Sequence, residues 1–267
     1  MLDSFNDGHI GMSAPDEVEE AAEALRSSAT VDENENLKTY GDLVIAQLVA
    51  EHYLEDNLKS SRNEVINWGI IDHTIGYLQV NVMFGHGDLS LPDSLLGNGY
   101  WRAYFGALED ITSEAHTRIE LAGINPTLDS AMADLQATDA IILDVRFNGG
   151  GKDEVALDIM RRFNPKRHLV FSKKAKLQNG YTKPNNVYLE SADEAYTKPV
   201  YLLTSQESAS ATEIMVLSSL QLDHVTRVGT NTEGVFSDVL DKVLPNQWEI
   251  GLSNEVYLLS TSNLMKV

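Results

Sequence analysis

Two short apolar runs, at 140–145 and 200–203, each end in a turn and pass directly into a helical pattern. Val200-Tyr-Leu-Leu203 has the length of a buried strand, breaks into Thr204-Ser205-Gln206-Glu207, and is followed by a helical pattern over Ala209 to Leu220. Ala140-Ile-Ile-Leu-Asp-Val-Arg146 repeats this grammar: it runs into Phe147-Asn148-Gly149-Gly150-Gly151 and then a helix through Met160. Strand, tight turn and helix, used twice, restrict the chain to an α/β architecture with a sheet covered by helices. At such a junction the unpaired N–H groups of the first helical turn, and the positive end of the helix dipole, face whatever occupies the turn. A serine there can present an oxyanion to them, and three successive glycines let a second backbone approach closely and form an anion-binding nest.

Four motifs carry a family resemblance. Asp144-Val145-Arg146-Phe147-Asn148-Gly149-Gly150-Gly151 is similar to a strand ending in Asp-hydrophobic-Arg-x-Asn-x-Gly-Gly; Ser208-Ala209-Ser210-Ala211-Thr212-Glu213 follows, then the turn Gly229-Thr230-Asn231-Thr232-Glu233-Gly234, and near the start Asn6-Asp7-Gly8-His9. Their order and spacing resemble the tail-specific (C-terminal processing) proteases and the tricorn core, peptidase family S41, over Ile75 to about Tyr257. The resemblance implies a ClpP/crotonase-like core of βαβ units. It puts the nucleophile on Ser210, with Ser208, Asn148 and Gly149 supporting, and the oxyanion hole on the N–H groups of Ala211 and Gly150. Most relatives draw their base from a lysine 25 residues after the serine, where this chain has Val235. Valine accepts no proton, and Lys242 falls in another register, so the tricorn-like histidine, His9, is the expected base. Gly8 stands where that branch has a serine, and the late glutamate of the family is not found; Asp7, Glu213 and Glu233 are the substitutes available to orient the histidine.

Charge and composition narrow the partners. Twenty basic against 40 acidic residues give a net charge of −20, which repels phosphates and so argues against nucleic acid or an anionic membrane as partner. Zero cysteines exclude disulfides, thiol nucleophiles and thiolate metal sites. His73 and His86, near Asp72 and Asp88, lack the i, i+4 spacing of a helical zinc site, so neither a metal nor another cofactor is expected. No run has the roughly 18 apolar residues of a membrane helix, and the first 30 residues lack the pattern of a signal peptide, so a soluble form without membrane insertion is expected.

Residues 1–70 are expected to form a small helical lobe, with amphipathic helices over Asp16 to Ser27 and Thr39 to Asp56 and no PDZ domain between them. Residues 71–267 are expected to form the catalytic domain, with Ile75 to Met83 as the first strand of its sheet. Helical patterns follow over Tyr100 to Leu121 and Thr127 to Gln136, strands at Leu169 to Phe171 and Val225 to Val228, and a polar exposed excursion over Lys173 to Thr197. Antiparallel strands are expected at Val239 to Val243, Trp248 to Leu252 and Val256 to Leu259. Compared with the family, both ends look truncated: its helical lobe precedes the Asp-Gly-His element, and its glutamate follows the last strands. The expected function is a serine hydrolase cleaving peptide or small ester substrates through an acyl-enzyme, esters more easily than peptides. A noncatalytic ligand-binding module on the same fold is the alternative, as is a true tail-specific peptidase.

Overall fold

The computed structural model describes residues 9–13, 58–92, 94–95 and 97–259, with single residues at 15, 18, 52 and 54. The two expected N-terminal helices therefore lie outside the described residues, apart from Val18, His52 and Leu54. In chain order the strands before the first helix are β1 (Gly11–Ser13), β2 (Lys59–Ser60), β3 (Ile66–Ile71) and β4 (Ile75–Val80). Helices α1 (Gly97–Leu108) and α2 (Ser113–Leu135) come next, then β5 (Ala140–Asp144) and α3 (Asp153–Arg161). They are followed by β6 (His168–Leu177), β7 (Gly180–Tyr181), β8 (Asn185–Leu189), β9 (Val200–Thr204), α4 (Ala211–Ser219) and β10 (Val225–Gly229). Strands β11 (Val239–Val243), β12 (Glu249–Ser253) and β13 (Glu255–Leu259) complete the set.

The central sheet runs β10-β9-β5-β4-β3-β2. Strands β4, β5, β9 and β10 are parallel, and β3 and β2 add an antiparallel edge. Strand β5 reads as an apolar run because it is flanked by β4 and β9 and covered on a face: Ile141 and Leu143 are fully buried against the helices. The α/β architecture is as expected. The sheet starts earlier than Ile75, however: β3 pairs with β4 as a hairpin through the turn Asp72–Thr74, so the boundary drawn at residue 70 falls inside a sheet strand. Asp72 and His73 take positive φ (48° and 63°) to close that turn.

Helices α2, α3 and α4 share the main core with the sheet, through Ile124, Leu128 and Leu135, through Val155 and Ile159, and through Ile214 and Met215. Each fully buried aliphatic side chain of this kind contributes roughly 1.5–3 kcal/mol relative to an exposed one. The helical pattern read over Tyr100 to Leu121 divides between α1 and α2, and α2, with Thr112 as N-cap, continues unbroken through Pro126 over the pattern read at Thr127 to Gln136. Proline removes an N–H from the helix ladder. Here Asn125 Nδ2 bonds the Leu121 carbonyl at 2.6 Å, and burial of Ile124 and Leu128 on either side holds the helix through the interruption. The polar interval 173–197 also has more order than its composition indicates, because β6 extends to Leu177 and pairs with β7, β8 and β13. The three strands expected after residue 238 are present, and β11 and β12 form a small sheet with β1.

Candidate active site

The carboxyl ends of β5 and β9 lie side by side, since the two strands pair in parallel with Asp144 opposite Leu203. Both turns therefore leave the sheet at one place, at the carboxyl ends of adjacent parallel strands. Beneath them the Asp144 carboxylate is buried and held by Arg146 in a fork, at 2.9 Å from Nε and 2.7 Å from Nη2, and by the Tyr77 hydroxyl at 2.9 Å. The hydrogen bond to Asp144 raises the Arg146 pKa against the opposing effect of burial. The Asp-x-Arg pair thus stiffens the start of the glycine turn.

Hydrogen bonds lace the two turns together. Ser208 is fully buried; its hydroxyl donates to the Val145 carbonyl at 2.8 Å and accepts from Ser205 N–H at 3.0 Å. The Ser205 hydroxyl donates to the Arg146 carbonyl, and Ala209 N–H donates to the Asn148 carbonyl at 3.1 Å. Asn148, also buried, sends Nδ2 to the Val80 carbonyl at 3.0 Å, tying the turn to β4 as well.

Ser210 is the N-cap of α4, half-buried, with φ 54° and ψ −122°. A serine in that region is strained by about 1–3 kcal/mol, and it takes the surrounding packing to hold it there. Gly150, at φ 107°, lies directly against it: a side chain on Gly150 would come within 2.7 Å of Ser210 Cβ and 2.8 Å of the Ala209 carbonyl. Only glycine fits. Ser210 and Glu213 have the spacing of a capping box, but Glu213 N–H is held by the Ser210 carbonyl at 2.8 Å. Ala211, the first residue of the helix, is fully buried, and its N–H has no acceptor among the described residues.

One expected donor is otherwise engaged. Gly150 N–H donates to Asn148 Oδ1 at 2.9 Å, an Asx-type turn within the loop, so it is committed inside the protein rather than presented beside Ala211. Gly149 is exposed, with no atoms crowding it. Val235 is buried, as an apolar side chain must be in that place, and Lys242 is exposed on β11 at the margin of the small sheet. His9 is half-buried two residues before β1, its carbonyl beside Gly251 of β12. Among the described residues it makes no hydrogen bond to Ser210.

Glu213, a candidate orienting acid by sequence, is engaged elsewhere. Its carboxylate accepts Ser210 N–H at 3.1 Å, Gly234 N–H at 2.7 Å and Val235 N–H at 2.7 Å. Glu233 is exposed and Asp7 lies outside the described residues. His73 is exposed on the β3–β4 turn, whereas His86 is held among Val82 and α2, its pKa lowered to about 4 by burial against the opposing charge of Glu120. The fully buried Glu120 carboxylate gathers the N–H groups of Gly85 and His86, the Tyr104 hydroxyl and His116 Nε2, a network that no sequence motif announced.

Ser210 thus sits on a strained strand-to-helix turn backed by the glycine loop. The model of Peptidase family S41 matches residues 109–265, and the chain belongs to that family. Its fold is similar to that of a peptidase candidate from Parabacteroides merdae, at 22% identity and TM-score 0.62, with 96% of this chain and 67% of that chain covered. Mature CPAF is similar at 11% identity and TM-score 0.52, over 90% of this chain and 54% of its own. The photosystem II D1 C-terminal processing protease aligns at 17% identity and TM-score 0.42, over 68% of this chain and 37% of that one. No curated protein matches the sequence. Among the described residues no helix is long and apolar enough to cross a membrane.

Proposed function

We propose that this chain is a serine hydrolase in which Ser210 Oγ attacks the carbonyl of a peptide or small ester, the oxyanion forms against Ala211 N–H, and the acyl-enzyme is released by water. The observation that carries this reading is the backbone of Ser210, φ 54° and ψ −122° at the start of α4 and pressed against Gly150. Strain of this kind persists where it exposes a nucleophile beside the helix N-terminus. His9 takes the serine proton and returns it to the leaving group; support comes from the Asp7-Gly8-His9 match and from the buried valine at the lysine position. Family membership makes peptides the natural substrate class. Esters are cleaved faster, since an alkoxide leaves with less help from the acid and Gly150 N–H is already given to Asn148.

That last hydrogen bond, together with Val235, is also what favours the second reading, a noncatalytic binding module. Fluorophosphonate labelling followed by intact-mass measurement separates the two. A hydrolase gains one adduct, Ser210→Ala loses it, and Ser208→Ala keeps a measurable rate, because Ser208 is spent on the Val145 carbonyl. An unlabelled protein sinks the hydrolase reading, and equal labelling in Ser210→Ala sinks the assignment of Ser210 as its nucleophile.

A further inference from the structure

We infer that Glu213 is the positioning residue of the nucleophile, holding the strained turn of Ser210 to the Gly234–Val235 turn through three backbone amides. The inference rests on the assignment of Ser210 just made and adds the device that keeps it in place. Glu213 is 1% exposed, and no cationic side chain bonds to it among the described residues. A buried charge without a counter-ion is costly unless donors surround it. Here the donors are all backbone: Oε2 takes Ser210 N–H and Val235 N–H, and Oε1 takes Gly234 N–H. A carboxylate is acceptor-only with two oxygens, which is what three converging N–H groups require.

The consequence for the site is geometric. Ser210, at positive φ, gives its N–H to the buried Glu213 carboxylate, and that bond opposes relaxation of the turn toward ordinary backbone. The same carboxylate fixes residues 234 and 235, from which the chain runs into β11, and β11 pairs with β12, which pairs with β1 just after His9. Glu213 therefore links the nucleophile turn to the small sheet next to the proposed base. Its place in the third position of α4 also sets it in the favourable field of the helix N-terminus.

The test uses the full chain and resolves fluorophosphonate inactivation into kinact and KI for Glu213→Gln and Glu213→Ala. Glutamine keeps one acceptor oxygen but turns an NH2 group toward an N–H donor, so it holds part of the turn; alanine holds none. Displacement of a reacting atom by about 1 Å costs up to about a hundredfold in rate, so kinact is expected to fall about tenfold in the glutamine variant and further in the alanine variant, with KI within about threefold of the unaltered protein. Asn164→Ala serves as the stability control, since it removes three hydrogen bonds, to the Leu189 and Glu190 carbonyls and from Lys166 N–H, at the opposite end of α3 from the glycine loop. It should lose stability and keep kinact. Retention of kinact in both folded Glu213 variants, or an equal fall in Asn164→Ala, overturns the inference. Should neither Glu213 variant fold, amide exchange in the unaltered protein decides: slow exchange at Ser210, Gly234 and Val235 upholds the hold of the carboxylate and fast exchange refutes it. Labelling that survives Ser210→Ala would instead defeat the nucleophile assignment, and the exchange result would still speak for or against the hold on the three amides.

Discussion

At Ser210 the demands of stability and chemistry conflict. Its φ of 54° and ψ of −122° cost a residue with a Cβ about 1–3 kcal/mol, whereas glycine adopts them freely. Ser210→Ala and Ser210→Gly should both be inactive, but Ser210→Gly should be the more stable by about 1 kcal/mol, after subtracting the larger unfolded-state entropy of glycine. Urea unfolding of the two variants measures this, and a glycine variant weaker than the alanine variant would show that the turn is not strained. His9 poses a different question, because its role rests on the Asp-Gly-His match and on Val235. His9→Ala should lower turnover about a hundredfold or more, the usual loss for a general base. Steady-state turnover of a nitrophenyl ester measures this, and full turnover in His9→Ala would remove the histidine from the mechanism.

At the scale of elements, what could be read from the sequence followed local pattern. The β5–glycine loop–α3 and β9–turn–α4 units were legible because apolar runs, glycines and serines signal their own geometry within a dozen residues. The extent of β6 was not, since Lys173 and Lys174 look like loop residues until β13 pairs with both and β8 with Lys173. Nor was the role of Glu213, whose partners at 234 and 235 are distant in sequence, nor the commitment of Gly150 N–H to Asn148. The pairing of β6 with β13 also brings together a cluster invisible in the sequence: Lys173 lies 2.6 Å from Asp238, 3.1 Å from Glu255 and 3.8 Å from Asp153, the first residue of α3. Burial opposes the charge on Lys173, but Asp238, Asp153 and Glu255 outweigh it and raise its pKa to about 12. Asp153 is raised to about 7, by burial first and then by Asp238, against the pull of Lys173. A carboxyl that titrates at about 7 folded and 3.8 unfolded binds more protons folded, so its contribution to stability falls as pH rises from about 4 to 7. Asp153→Asn should therefore be more stable than the unaltered protein at pH 8, and the advantage should shrink by pH 5. Denaturant unfolding at both values checks it, and a variant weaker at pH 8 would mean that the ion pair with Lys173 outweighs the burial.

At the scale of the whole molecule the net charge of −20 sets the sign of the response to salt. Two opposed effects compete. Salt screens surface ion pairs such as Lys59–Asp134 and Arg167–Glu190, which lowers stability, and it screens repulsion among the excess carboxylates, which raises it. Exposed pairs contribute only about 0–1 kcal/mol each. The repulsion is spread over 40 acidic side chains against 20 basic ones and is felt in the compact state more than in the expanded chain. The Debye length shrinks from about 30 Å at 0.01 M salt to about 3 Å at 1 M, so the repulsion acts at full reach only in dilute buffer. The Tm should therefore rise by several degrees between dilute buffer and sodium chloride of about 0.5 M, most of the gain coming by about 0.15 M, where the Debye length is already about 8 Å. Chloride is the proper choice, because sulfate strengthens burial in any protein and would mask the electrostatic effect. The same scan on the Asp153→Asn variant should show a smaller rise, one acidic repulsion having been removed from a crowded cluster. A Tm that falls with sodium chloride would show that the surface pairs, not the excess negative charge, govern the electrostatics of this fold.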